Sequence, residues 1–193
     1  STTHKTLRGP RSGLILMKEA YAKRINSRIF PGIQGGPLMH VIAAKAICLR
    51  EAASDEFKAS SQQVVKNAAT LAQTLTDCGF RIVSGGTDTH VVLLDLSGQG
   101  LTGSSVEKIL EVSNITSNKN PIPFDSPKPA EWVGLRLGSS AATTRGLEEA
   151  EFSELGDIIA DLIMAAASGD TEPAIETARE RCARLCTQFP LYT

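Results

Sequence analysis

Residues 55–96, DEFKASSQQVVKNAATLAQTLTDCGFRIVSGGTDTHVVLLDL, decide the fold class. In the first half Phe57, Val64, Val65, Ala68, Leu71, Ala72 and Leu75 follow helical spacing, so one face of a helix collects them, and Gly79 supplies the stop. In the second half the pattern changes. Residues 81–83 and 90–96 are short apolar runs separated by the turn-forming Ser84-Gly85-Gly86-Thr87-Asp88, which predicts two strands joined as a hairpin. An amphipathic helix followed by a hairpin is the start of an α/β layer, because each element has one apolar face to bury.

Downstream, Thr102 or Ser104 can cap a helix running to about Glu111, and residues 115–117 read as a short strand. Residues 118–131 are rich in Pro and Asn, lack periodicity and read as a loop. Residues 133–137 read as a strand. Phe152, Leu155, Ile158, Ile159, Leu162 and Ile163 form one face of a long helix, and a last helix begins near Pro173 with Ile175, Ala178, Cys182, Leu185 and Phe189 inward. The order after residue 55 is helix, two strands, helix, two strands, two helices, a compact α/β unit with its own core. Upstream, Leu14, Ile15, Leu16 and Met17 follow Gly9, Pro10 and Gly13 and read as a buried strand entered through a turn. A short helix carries Tyr21 and Ile25. The loop Phe30-Pro31-Gly32-Ile33-Gln34-Gly35-Gly36-Pro37 then leads into a helix to about Ala53, with Pro37 in its first turn and Gly35 and Gly36 at its N-terminus.

Composition excludes several function classes. Of the 193 residues 41% are apolar and 21% charged, with a formal net charge of −1, which is ordinary for a soluble globular chain. Lys and Arg are scattered, so no basic stripe is available for a nucleic-acid backbone. Cys48, Cys78, Cys182 and Cys186 are too irregularly spaced for a disulfide framework, and no Cys-x-x-Cys pair stands near a histidine to suggest zinc. Cys182 and Cys186 share a helix face at i, i+4 and read as buried core thiols rather than metal ligands. The apolar runs fall short of the roughly 20 residues that span a bilayer, and no signal peptide is visible, so a reducing cytoplasm is expected. The first residue is Ser rather than Met, which places the expected natural N-terminus upstream.

Few residues declare chemistry on their own. Lys5 is either a solvated surface amine or, in its hydroxyl-rich setting before a strand, a Schiff-base lysine, a role that needs a lowered pKa. Gln34-Gly35-Gly36-Pro37 is either a plain tight turn or an anion site of backbone N–H groups unobstructed by side chains. Arg136, flanked by Leu135 and Leu137 in a strand, points opposite to both and serves either a carboxylate ligand or a structural ion pair. His4, His40 and His90 have no mutual spacing for a metal, and no Gly-x-Ser-x-Gly elbow supports a hydrolase triad.

Three stretches taken together resemble serine hydroxymethyltransferase, a pyridoxal-phosphate enzyme family of one-carbon metabolism and amino-acid biosynthesis. Thr2-Thr3-His4-Lys5-Thr6-Leu7-Arg8-Gly9-Pro10-Arg11 resembles the family's cofactor-lysine segment, and residues 30–40 resemble its phosphate-side loop. Gly134-Leu135-Arg136-Leu137-Gly138, followed by Ala141-Ala142-Thr143-Thr144-Arg145-Gly146, resembles the segment carrying the substrate-carboxylate arginine. Ser84-Gly85-Gly86-Thr87-Asp88 and Asn118-Lys119-Asn120 fall between them in the family's order, so the resemblance covers essentially the whole chain.

This resemblance implies a type I pyridoxal-phosphate fold, with residues 1–55 as the tail of the large cofactor domain and 56–193 as the small C-terminal α/β domain. It implies that Lys5 carries pyridoxal 5'-phosphate, that His4 and Arg11 border it, and that the loop of Gly35 and Gly36 reaches the phosphate of a neighbouring subunit in a homodimer or tetramer. Arg136 would grip the carboxylate of glycine or serine, and Asn120 with Lys128, Pro129 and Ala130 would lie beside tetrahydrofolate. The implied reaction interconverts serine and glycine with transfer of a one-carbon unit. The sequence departs from the family at Ser139-Ser140, where Thr-Pro is usual, and at Lys128-Pro129-Ala130, where Ser-Pro-Phe is frequent. The family's acid for the pyridine nitrogen, its ring-stacking histidine and most of its phosphate donors belong to segments that would precede Ser1, so the chain alone is expected to be inactive. Two other readings remain: a noncatalytic folding or dimerisation fragment, and a different enzyme of the same fold such as a threonine aldolase.

Overall fold

The computed structural model describes residues 1–126 and 128–191. The chain divides into two compact units, Ser1–Ala59 and Ser60–Thr193.

In the first unit residues 1–14 fold back on themselves. Thr3 N–H donates to the Ser12 carbonyl, Ser1 N donates to the Leu14 carbonyl, and Thr2 bridges Gly13 in antiparallel sense. Gly9 has no room for a side chain, since a Cβ there would stand 2.5 Å from Cys48 Sγ and 2.9 Å from the Thr3 carbonyl. Helix α1, Glu19–Ile29, carries Tyr21 and Ile25 as expected, and helix α2, Met39–Ala52, follows the Gly-Gly-Pro loop. Two details differ from the sequence reading. Residues 14–17 form no strand beyond the single bridge at Gly13, and Leu16 is 89% exposed, because a buried strand needs neighbours on both edges and none is described within this unit. Helix α2 begins at Met39 with Leu38 as an extended cap, so Pro37, Gly36 and Gly35 precede the helix instead of forming its first turn.

Helix α3, Asp55–Asp77, starts at the end of the first unit and continues into the second, where Ala68, Leu71, Ala72 and Leu75 are buried. Gly79, at φ +88°, ends the run as the sequence indicated. Strands β1, Arg81–Ile82, and β2, Val91–Asp95, pair antiparallel, and a helical turn over Val83–Gly85 lies between them. Helix α4, Gly103–Val112, is capped by Thr102, whose hydroxyl accepts from the Ser105 N–H. Strand β3, Asn118–Asn120, and strand β4, Gly134–Gly138, complete a sheet of order β1-β2-β4-β3, antiparallel throughout. Helix α5, Ser140–Thr144, is short. Helix α6, Glu149–Ser168, opens with reciprocal bonds between Glu148 and Glu151, and helix α7, Glu172–Gln188, packs on it.

This second unit is α/β with its core on one side of the sheet. Ile82, Val92, Leu94, Leu135 and Leu137 point inward and join side chains of α3, α4, α6 and α7 in one cluster. Strand β3 replaces the short strand expected at 115–117 and the loop expected at 118. Its Asn-Lys-Asn side chains carry no apolar signal because β3 is an edge strand, and inward-facing Lys119 reaches Glu107 at 3.7 Å. Helix α5 was not expected either. It is too short for a periodicity and is held instead by polar contacts: Ser139 Oγ donates to the Val64 carbonyl, Thr143 Oγ1 to the Ser139 carbonyl, and Asn67 Nδ2 to both Thr143 Oγ1 and the Leu147 carbonyl. Cys182 is buried, but Cys186 is exposed and so is not the core thiol its spacing suggested.

Candidate functional site

Thr3 is fully buried in the first unit, and its hydroxyl donates to the Pro10 carbonyl at 2.6 Å and lies 3.2 Å from that of Ser12. It pins the turn that presents its two neighbours. His4 Nδ1 lies 3.2 Å from the Ser12 carbonyl, which can only accept, so Nδ1 carries a proton and Nε2 faces away from that bond. Lys5 is exposed, and its carbonyl closes the turn by accepting from the Arg8 N–H. Arg8, at φ +56°, lays its guanidinium 5.1 Å from the centre of the Phe57 ring.

Arg11, Gly35 and Gly36 line one cavity of about 720 Å³ together with Lys45 and Pro37. The structure thus brings three of the five cofactor-side candidates together, while Lys5 and His4 stand on the turn and are not among the cavity's lining residues. A Cβ placed on Gly35 or Gly36 would meet nothing within 4 Å, so the backbone is open to close approach. Among the described residues no carboxylate lines this cavity, and residues 1–59 carry ten Lys or Arg against four Asp or Glu. Positive potential, an open backbone and an aliphatic wall suit an anion with an organic body. Lys45 escaped the sequence reading: it is one half-buried lysine on α2, and only the fold shows that its amine donates to the Gly13 carbonyl at 2.7 Å.

In the second unit Arg136 alternates as expected, exposed between buried Leu135 and Leu137. Among the described residues it has no ion pair or hydrogen-bond partner, which leaves the structural ion-pair reading without support. Arg136 lies opposite Leu93 on β2 and Asn118 on β3, and Asn120 opposite Gly134, so Arg136 and Asn120 occupy one face as diagonal neighbours. The exposed guanidinium can take a carboxylate, while the Asn120 amide donates to the Pro121 carbonyl at 2.8 Å. Lys128, Pro129 and Ala130 lie on a separate loop. Asp125 holds it, accepting from the N–H groups of Ile122, Ser126 and Val133, and Lys128 pairs with Glu131 at 3.0 Å. Among the described residues no group of three or more His, Cys, Asp or Glu gathers as a metal site, and no helix is long and apolar enough to cross a membrane.

A cavity open to an anion in one unit, and in the other a guanidinium with no partner among the described residues, are features suited to small anionic organic molecules. The model of the family described as serine hydroxymethyltransferase matches residues 1–159, and the chain belongs to that family. It is 59% identical over 192 residues to a 2-methylserine hydroxymethyltransferase from an Ensifer species, covering 99% of this chain and 45% of that relative. Proteins of the same description from Aminobacter and Paracoccus species are 57% and 58% identical with the same coverage. The chain therefore spans less than half the length of these relatives.

Proposed function

We propose that the complete protein transfers a hydroxymethyl group between a serine-type amino acid and tetrahydrofolate, and that its preferred donor is 2-methylserine. Family membership supports the reaction, and the relatives' activity supports an α-methylated donor over the serine–glycine pair. The observation that carries the reading is Arg136, an exposed guanidinium on strand β4 with no partner among the described residues.

Pyridoxal 5'-phosphate needs an amine to carry it, donors for its phosphate and an acid for its ring nitrogen. The residues present fit the first two needs: the Lys5 amine is exposed, and the open backbone of Gly35 and Gly36 with Arg11 suits a phosphate, which for the glycine loop would be that of a neighbouring subunit's cofactor. When bound, the group would withdraw the electrons left at Cα as the hydroxymethyl carbon departs. Lys5 would hold the cofactor and accept or return a proton at Nζ, while His4 borders the site. Arg136 would fix the amino acid's carboxylate in bidentate fashion and so orient the bond to be broken. Asn120, Lys128, Pro129 and Ala130 would flank the folate.

The reading extends to domain roles and assembly. Residues 1–55 act as the tail of the large domain of a type I fold, supported by the exposed Leu16, Ile33 and Leu38 and by Cys48 as the one buried apolar residue described in Ser1–Ala59. Residues 56–193 act as the small domain. On this reading the complete protein is a homodimer or tetramer in the cytoplasm, and this chain alone is inactive.

The test joins this chain to the N-terminal remainder of the Ensifer relative, replacing the matched part. The chimera should form alanine from 2-methylserine with a requirement for tetrahydrofolate, and faster than it forms glycine from serine. Faster glycine formation would move the donor to serine, and failure with both in a folded, cofactor-loaded chimera would remove the proposed reaction.

A further inference from the structure

The second unit contains an apolar cavity of about 280 Å³ that the proposed reaction does not use. Leu71, Leu137, Phe152, Leu155 and Ile159 line it, and Cys182 and Cys186 enter it from the same face of α7. Cys182 is a free thiol only 6% exposed that makes no hydrogen bond among the described residues, and Cys186 stands exposed one helical turn on. Arg145 closes the rim. Its Nη1 donates to Cys186 Sγ at 3.3 Å, while Nε and Nη2 donate to the carbonyls of Phe189 and Cys186.

Two thiols at i, i+4 have Cβ atoms about 5–6 Å apart, beyond the roughly 3.5–4.5 Å that a disulfide requires, so an intact α7 cannot oxidise this pair to a disulfide. A larger atom bonded to both sulfurs can close the gap. Burial pushes the Cys182 thiol up, and the neighbouring Cys186 pushes it the same way, so Cys182 enters such chemistry as a thiol. The remaining cysteines lack this arrangement. Cys48 Sγ donates to the Leu7 carbonyl, and Cys78 stands near Asp157, Asp161 and Asp77.

We propose that Cys182 and Cys186 form a dithiol site for a trivalent thiophilic centre bearing an apolar organic group, of which an aryl arsenoxide is the representative. The two sulfurs take the heavy atom at the mouth, and the aryl group enters the apolar cavity. Two As–S bonds form, and the arsenoxide oxygen leaves as water with the two thiol protons. Arsenic remains trivalent, so neither oxidant nor reductant is needed. Arg145 gives up one hydrogen bond and keeps its two to the end of α7.

Phenylarsine oxide titrated into the 193-residue chain tests this, read by intact mass. One equivalent should bind, resist excess monothiol and be released by a dithiol. Cys182→Ala and Cys186→Ser should each weaken binding roughly a hundredfold or more, because the second bond is then lost from a linked pair. Cys48→Ser and Cys78→Ser should leave it unchanged. Cys182 is buried and its variant can lose the fold, so Cys186→Ser at an exposed position, checked by circular dichroism, decides alone. Undiminished binding to Cys186→Ser, release by monothiol, or an adduct joining two chains would overturn the dithiol site.

Discussion

Replacing Asn67 with Leu should destabilise the second unit by about 2–4 kcal/mol. Asn67 is fully buried, and its amide ties α3 to Thr143 Oγ1 at 2.8 Å and to the Leu147 carbonyl at 2.9 Å. Leu has a similar branched shape, so the change removes bonding with little change in packing. The Leu147 carbonyl then loses its side-chain donor in a buried setting, which costs roughly 1–3 kcal/mol, and the lost bond to Thr143 adds about 1 kcal/mol. Gln63 is spared, since it still donates to Glu149 at 2.7 Å. At about 3–4 °C per kcal/mol for a unit of this size, the melting temperature should fall by roughly 6–15 °C. Thermal unfolding followed by circular dichroism measures it. Gln73→Ala, which removes only an exposed bond to Asp77, is the control and should stay within about 0.5 kcal/mol of the parent. If Asn67→Leu matched that control, the polar network would not be what holds α5 against α3.

Arg136→Ala in the chimera should leave melting unchanged, because the side chain is exposed and unpaired among the described residues, yet weaken amino-acid binding by roughly 2–5 kcal/mol, at least tenfold in a spectroscopic titration. For Asp95, burial alone would raise the carboxyl, but the Ser97 N–H and hydroxyl and the Arg81 guanidinium outweigh it and hold the group below the ordinary carboxylate range. A depressed folded value means that its stabilising contribution is present above the unfolded carboxylate value and is lost as pH falls through the folded one. Urea midpoints measured against pH should therefore drop less steeply across that acidic window in Asp95→Asn than in the parent. Gly9→Ala should loosen the turn that carries Lys5, at a cost of about 1–3 kcal/mol, since the new methyl would meet Cys48 Sγ and the Thr3 carbonyl. Faster amide exchange at Thr3 and Leu14 is the readout.

Much of the second unit was legible because its elements bury one face each. The apolar periods of α3, α6 and α7, the Thr102 cap of α4 and the alternation around Arg136 report packing directly. Strand β3 and helix α5 were not legible, because an Asn-Lys-Asn edge and a five-residue helix are fixed by partners distant in sequence: β4 for one, Asn67 and Val64 for the other. Residues 14–17 misled for the opposite reason, since four apolar residues in a row resemble a buried strand whether or not strands stand beside them. At the candidate site, Lys5 and Arg136 came from motifs, and the structure adds the burial of Thr3 and the placement of Lys45. Neither residue type carries a signal of its own in the sequence.

The central claim, that Lys5 is the cofactor's covalent anchor, is tested most directly by loading the chimera with pyridoxal 5'-phosphate, fixing it with borohydride and mapping the modified peptide. The account predicts one equivalent fixed on Lys5, and loss of both the fixation and the visible absorbance in Lys5→Ala. Stoichiometric fixation on another lysine such as Lys45, or absorbance that survives in Lys5→Ala, would contradict it.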